Sequence, residues 1–232
     1  MKDALSISPV GAELLDDPAA DAGTVEASLR DIAVANRWLG GTAAALHGLG
    51  RVLAGIPRGS RVTLLDIGTG HGDLPQAAVR WGRRRGIEIV PIALELNAVA
   101  AALAVQAGIP TAVADAAAPP VAPKSVDVVL MSQVMHHFSR ESAARLAATC
   151  DGLARRGVVV ADLRRSVIAA AGFRIGARLL RFDPVTRSDG VTSVRRGFRA
   201  SELEAVLLRG GIRARVERRP GFRLVATWRT EG

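Results

Sequence analysis

The chain has no tyrosine, one cysteine, and lysine only at positions 2 and 124. Each scarcity excludes something. A lone thiol, Cys150, cannot close an internal disulfide, so the fold must stand on its core. Five Phe and three Trp offer few stacking platforms for bases, which weighs against a nucleic-acid partner. The net charge of +9 is carried almost wholly by arginine, as a composition rich in Arg and Ala carries it without any polyanionic ligand. The longest unbroken apolar run, residues 98–105, is far shorter than the roughly 20 residues a membrane span needs. Residues 1–6 lack the basic segment and apolar core of a signal peptide, so a cytoplasmic location is expected. No internal repeat or low-complexity linker is visible. What is present is apolar substance: 49% hydrophobic residues in 232 suit one folded domain with room for a small appendage.

Residues 1–22 read as an acidic loop broken by Pro9 and Pro18. Thr24 can then cap a helix whose one face carries Val25, Leu29, Ile32, Asn36 and Leu39, ended by Gly40-Gly41. A second helix is expected over 42–53. These two form an N-terminal helical cap over residues 1–58, ahead of a main domain over 59–232. From 61 onward strand and helix patterns alternate. Strands are expected over 61–66, 87–94, 111–114, 126–131 and 157–161, and helices over 74–85, 98–107, 140–153 and 165–182. Such alternation means parallel strands joined by crossover helices. Runs such as Val128-Val129-Leu130 and Val158-Val159-Val160 are apolar on both faces, as in a sheet covered on both sides. Residues 189–198 read as a long connection. After a helix over 202–209 capped by Ser201, strands over 212–217 and 222–228 flank Arg218-Arg219-Pro220-Gly221, which suits an antiparallel hairpin.

The most informative segment is Leu64-Leu65-Asp66-Ile67-Gly68-Thr69-Gly70-His71-Gly72-Asp73. An apolar strand ends in a carboxylate and feeds a turn that lets a ligand press against bare backbone. The spacing is wrong for the dinucleotide fingerprint G-x-G-x-x-G. Starting at Gly70 its third glycine falls on Pro75, and starting at Gly68 it falls on Asp73. The pattern D-x-G-x-G-x-G resembles motif I of the class I S-adenosylmethionine (SAM) methyltransferases. The resemblance implies a doubly wound, mostly parallel α/β sheet of seven strands in the order 3-2-1-4-5-7-6, with the antiparallel C-terminal hairpin. It implies SAM as cofactor and S-adenosylhomocysteine as product. It places the turn of Gly68, Thr69, Gly70 and Gly72 under the methionine part, with Asp66 close to the ammonium.

Other strand ends extend the resemblance. Glu95, followed by Leu96, ends the second strand, where doubly wound folds set the carboxylate that receives the ribose hydroxyls. Asp115 and Ala116 follow the third strand, where the family meets the adenine. The run Val126-Asp127-Val128-Val129-Leu130-Met131-Ser132-Gln133-Val134-Met135-His136-His137 resembles the family's fourth-strand motif. Ser132 and Gln133 then emerge at the ligand edge, while Asp127 at the strand's start is structural. His136 or His137 is a candidate base for the proton a hydroxyl loses, and equally a pair capping the next helix. Asp162, after the fifth strand, orients a histidine, contacts substrate, or caps the following helix. Candidate acceptor contacts are Arg30, Asn36, Arg37 and Trp38 from the cap and Arg195 and Arg196 from the long connection.

The helix over 165–182 carries an apolar stripe of Ile168, Ile175, Leu179 and Phe182 beside a basic one of Arg174, Arg178 and Arg181. Four histidines and one cysteine show no zinc spacing, and the acidic metal site of catechol-type relatives is not apparent, so no metal is expected. The resulting expectation is metal-independent methyl transfer to a small, largely apolar acceptor, at oxygen in preference to carbon. The UbiE-like branch, which alkylates quinol carbon, shares much of the pattern. RNA or protein methylation and SAM binding without methylation are the alternatives, and monomer and homodimer are both left open.

Overall fold

The computed structural model describes residue 6 and residues 8–17 and 19–230, so Pro18 lies outside the described residues. Seven strands form one sheet: β1 (Arg61–Ile67), β2 (Glu88–Glu95), β3 (Thr111–Val113), β4 (Val126–Ser132), β5 (Ala154–Leu163), β6 (Arg215–Arg219) and β7 (Arg223–Arg229). Their order is β3-β2-β1-β4-β5-β7-β6. The first five are parallel, and β7 runs antiparallel to both β5 and β6. Among the described residues eight α-helices accompany them: α1 (Ala22–Trp38), α2 (Gly41–Val52), α3 (Asp73–Arg85), α4 (Ala98–Gln106), α5 (Arg140–Leu153), α6 (Val167–Leu179), α7 (Pro184–Arg196) and α8 (Ala200–Arg209).

Strand alternation divides the core between two faces. Val129 and Met131 of β4 join Val158 and Val160 of β5 under α5 and α8. Val128 and Leu130, one residue out of phase, join Val159 and Val225 under α2 and α3. Among the described residues no helix is long and apolar enough to cross a membrane.

Three local expectations need correction. The 189–198 segment is not a loop but the second half of α7. Asp183 accepts the Val185 N–H at 2.8 Å as its N-cap, and Pro184 opens the first turn. Helix α1 is capped by Asp21, not Thr24, whose N–H and hydroxyl both donate to that carboxylate. Helix α8 begins at Ala200, with Glu202 reaching back to accept the Arg199 N–H at 3.0 Å. The expected cap also divides. Helix α2 belongs to the core layer: a Cβ on Gly48 would stand 2.4 Å from Val159 Cγ1. Helix α1 instead packs Val25 and Leu29 against Ala100 of α4. Of the expected apolar stripe, Ile168, Ile175 and Leu179 of α6 face solvent, and only Phe182, beyond the helix end, is buried.

Candidate active site

Register explains why the site lies where it does. Ile67 pairs with Leu94 and Met131, Met131 with Val160, and Ser132 with Ala161. The carboxyl ends of β1, β2, β4 and β5 therefore form one edge, where open α/β sheets bind ligands. A cavity of about 360 Å³ opens there. Its floor includes Asp66, Gly68, Thr69, Gly70, Glu95, Leu96, Asp115, Ala116, Ser132 and Gln133. Thus every residue expected to hold the cofactor lines it except Gly72, which shapes the turn as the left-handed N-cap of α3.

The turn is tight because its neighbours are close. Gly68 has φ +71°, and a Cβ there would meet Val134 Cγ2 at 2.5 Å. The Gly70 N–H donates to Glu95 at 2.8 Å, and the Asn97 N–H donates to the other Glu95 oxygen at 3.0 Å. Burial raises the carboxyls of Asp66, Asp73 and Glu95 above their ordinary range. For Asp66 burial, with repulsion from Asp73 and Glu95 added, pushes the value up to about 8. Its Oδ1 is buried without a hydrogen-bond partner, as is Thr69 Oγ1. The acids on this side of the cavity, with buried oxygens left without hydrogen-bond partners, fit a ligand bearing an ammonium and a sulfonium.

A second cluster lies across the cavity. His136 is buried, and its Nδ1 lies 2.7 Å from Asp162 Oδ1. Burial alone would raise the Asp162 carboxyl, but attraction and hydrogen bonding from His136 outweigh it and hold it below the usual range. An ionised carboxylate only accepts, so Nδ1–H donates. That leaves Nε2, which has no hydrogen-bond partner and sits 4.0 Å from Glu13 Oε1. Asp162 itself is fully buried behind the histidine and does not line the cavity. His137 turns Nδ1 to Asp16 at 2.8 Å.

Glu13 and Asp16 come from a segment read as an acidic loop. They are held by Arg196, a fully buried residue whose guanidinium meets Glu13 Oε1 at 3.1 Å and Asp16 Oδ2 at 2.7 Å. Arg196 also donates to the carbonyls of Val10 and Gly11. Asp189 accepts the Leu14 N–H at 2.8 Å, and the Ser193 hydroxyl donates to Glu13. Residues 8–17 are thus strapped to α7 and over the histidines. Burial raises the Glu13 carboxyl, whereas for Asp16 hydrogen bonds from His137 and Arg196 overcome burial and lower it. Glu13, His136 and His137 place one donor atom each within 4.8 Å of one another. Each of the three is also tied to a protein partner: Glu13 to Arg196 and Ser193, His136 to Asp162, and His137 to Asp16.

A third group was not foreseen. Because β7 is antiparallel, its first residue Arg223 pairs with Leu163 at the carboxyl edge of β5. Arg223 Nη1 donates to Gln133 Oε1 at 2.8 Å, and Gln133 Nε2 donates to Asn36 Oδ1. Burial lowers the guanidinium to about 10. Asn36 lines the cavity as expected. Other expected acceptor contacts lie outside its lining. Trp38 is 70% exposed with Arg37 over its ring, Arg30 pairs with Glu26, and Arg195 lines an outer concavity with Arg174 and Arg178. Arg196 is the buried clamp of the strap rather than an acceptor contact.

A family model described as a methyltransferase domain matches residues 65–161. No curated protein matches the chain by sequence. Among solved structures, a SAM-dependent methyltransferase from Aquifex aeolicus is 16% identical with a TM-score of 0.60, covering 91% of this chain and 99% of its own. Human N-acetylserotonin methyltransferase in complex with SAM is 13% identical with a TM-score of 0.59, over 91% of this chain and 57% of its own. A putative O-methyltransferase from Nostoc punctiforme is 18% identical with a TM-score of 0.56, over 84% and 58%. The chain therefore spans little more than half the length of the last two. The domain match falls on the glycine turn and the strands that follow it, and the strand order agrees with it: residues 65–161 are similar to a methyltransferase domain, and the chain has the fold of these solved methyltransferases.

Proposed function

We propose that the chain methylates a hydroxyl of a small, largely apolar acceptor, with His136 as the base that Asp162 holds in place. The observation that carries this reading is the 2.7 Å His136–Asp162 pair, which leaves a buried, unpartnered Nε2 in a residue lining the cavity. Bound SAM supplies a methyl carbon already activated by its sulfonium. Asp66, the Gly68–Gly70 backbone, Glu95, Asp115 and Ser132 hold it in this reading. The chain then has to align the acceptor, exclude water and receive one proton. Leu29, Ile32, Phe173 and Val194 give the acceptor an apolar wall. Asp162 stabilises positive charge on the imidazole as the hydroxyl proton arrives at Nε2.

Labelled SAM incubated with small phenols, quinols and bulk RNA tests the acceptor class. Transfer to a phenol oxygen is expected. A ring-carbon product would move the reaction to C-methylation, and label in RNA alone would overturn the small-acceptor reading. His136→Ala is expected to lower kcat by about 10²–10⁴ while SAM affinity, measured by calorimetry, is unchanged. Full activity in that variant would remove the base.

A further inference from the structure

We infer that the outer face of α6, with the arginines beside it, is a docking surface for an anionic phospholipid bilayer. Helix α6 exposes Val167 at 87%, Ile168 at 73%, Ile175 at 62% and Leu179 at 78%. Ile168, Ile175 and Leu179 are spaced i, i+7, i+11, so they form one stripe along the helix. Scattered exposed aliphatics are ordinary on a protein surface, but a contiguous stripe of them marks a contact. The helix has thirteen residues, which suits lying in a membrane interface and not crossing it.

Charge identifies the occupant. Arg174 and Arg178 flank the stripe, one turn apart. With Arg187 and Arg195 of α7 they line a concavity that also holds the Ser188 and Thr192 side chains and no carboxylate. None of these four arginines is ion-paired among the described residues. An anionic bilayer satisfies both features together, taking the aliphatic side chains below its headgroups and the guanidinium groups among its phosphates. A second copy of the chain fits poorly, since pairing α6 with α6 would set Arg174 and Arg178 against each other with no carboxylate on the patch to meet them.

The surface also has a place in the reaction. The inner sides of the same two helices, through Phe173, Thr186, Ser193 and Val194, line the cavity. Docking would therefore set the cavity against the membrane, where a lipophilic acceptor is dissolved. This delivery role rests on the proposed acceptor class, whereas the docking itself does not.

The test is co-sedimentation of the full chain with vesicles of phosphatidylcholine alone and of phosphatidylcholine containing phosphatidylglycerol. Binding to the anionic vesicles only, weakened by salt, is expected. Arg174→Glu with Arg178→Glu should lower partitioning by about 30-fold or more, at roughly five-fold for each arginine near an anionic surface. Ile175→Asp with Leu179→Asp should lower it by about 10-fold or more. All four positions are exposed and outside the cavity, so melting temperature and SAM affinity should match wild type. The inference is overturned if wild type stays in the supernatant with anionic vesicles, or if both double variants bind as wild type does. It is overturned too if wild type sediments as a dimer that Ile175→Asp with Leu179→Asp dissolves. Docking without methyl transfer to any phenol or quinol supports this surface and overturns only the proposed activity.

Discussion

Replacing Asp66 by Asn should make the cofactor-free protein more stable and a poorer SAM binder. Asp66 is fully buried at the end of β1, and burial with two neighbouring carboxyls lifts it from 3.8 to about 8. A carboxyl raised in the folded state contributes its full stability below its unfolded value. That contribution is lost as pH rises from about 4 through about 8. At about 1.4 kcal/mol for each unit, roughly 4 kcal/mol has been lost by neutral pH. The Asn variant does not titrate, but its buried amide, lacking partners, costs about 1–3 kcal/mol of its own. The net gain near neutral pH is about 1–3 kcal/mol, or roughly 3–10 °C in Tm for a domain of this size. Thermal unfolding without cofactor, scanned from about pH 5 to pH 8, should show a gap over wild type that widens with pH. SAM affinity should fall about 10–100-fold, since a charge-assisted contact to the ammonium is replaced by a neutral one. A variant that melts below wild type near neutral pH, or a gap independent of pH, would show that Asp66 is already ionised in the free protein and refute the reasoning.

Asp162→Asn should lower kcat by about 10² or more with SAM affinity intact, because the imidazole loses the acceptor that fixes its tautomer; steady-state rates at wild-type level would contradict the pairing. Arg196→Met should destabilise the chain by about 3–5 kcal/mol, by stranding the Glu13 and Asp16 carboxylates, and should speed amide exchange across residues 8–17. Exchange there at the wild-type rate would mean that Arg196 does not hold the strap. Treatment with EDTA should leave the rate unchanged, and a loss restored by a divalent ion would reassign Glu13, His136 and His137 as metal ligands.

What could be read from the sequence was local. The β1 strand, its glycine turn and α3 are contiguous, so the strand–turn–helix unit that lines the cavity could be placed from a dozen residues. Apolar runs on both strand faces announced a covered parallel sheet, and the Pro-Gly turn announced the hairpin. Helix α7 was missed because its buried face is thin, with Thr186, Val191 and Val194 as its uncharged members, and Gly190 and β-branched residues weaken its propensity. The Asp-Pro pair at 183–184 is the one local signal of its start. Arg223 is one residue of the strand expected over 222–228, with no local pattern to mark it. It becomes a site residue only because the reversal of β7 brings its first position to the edge where β5 ends, and that follows from the strand order rather than from any local pattern.

The same reasoning explains why the reaction is easier to name than the acceptor. The domain match covers residues 65–161, which hold Asp66, Glu95, Asp115 and Ser132. Glu13, Asn36, Phe173, Ser193 and Arg223, the residues that shape the opposite wall, all lie outside it. They come from the strap, α1, α6, α7 and β7, and their contacts join residues as far apart as Arg196 and Val10. A cofactor that is the same for every relative can be held by one contiguous unit. An acceptor that differs from one relative to the next is met by separate segments that change independently. On the proposed function, specificity is expected in the part this chain does not share with the domain model, and exchanging α6 and α7 should alter the acceptor before it alters SAM binding.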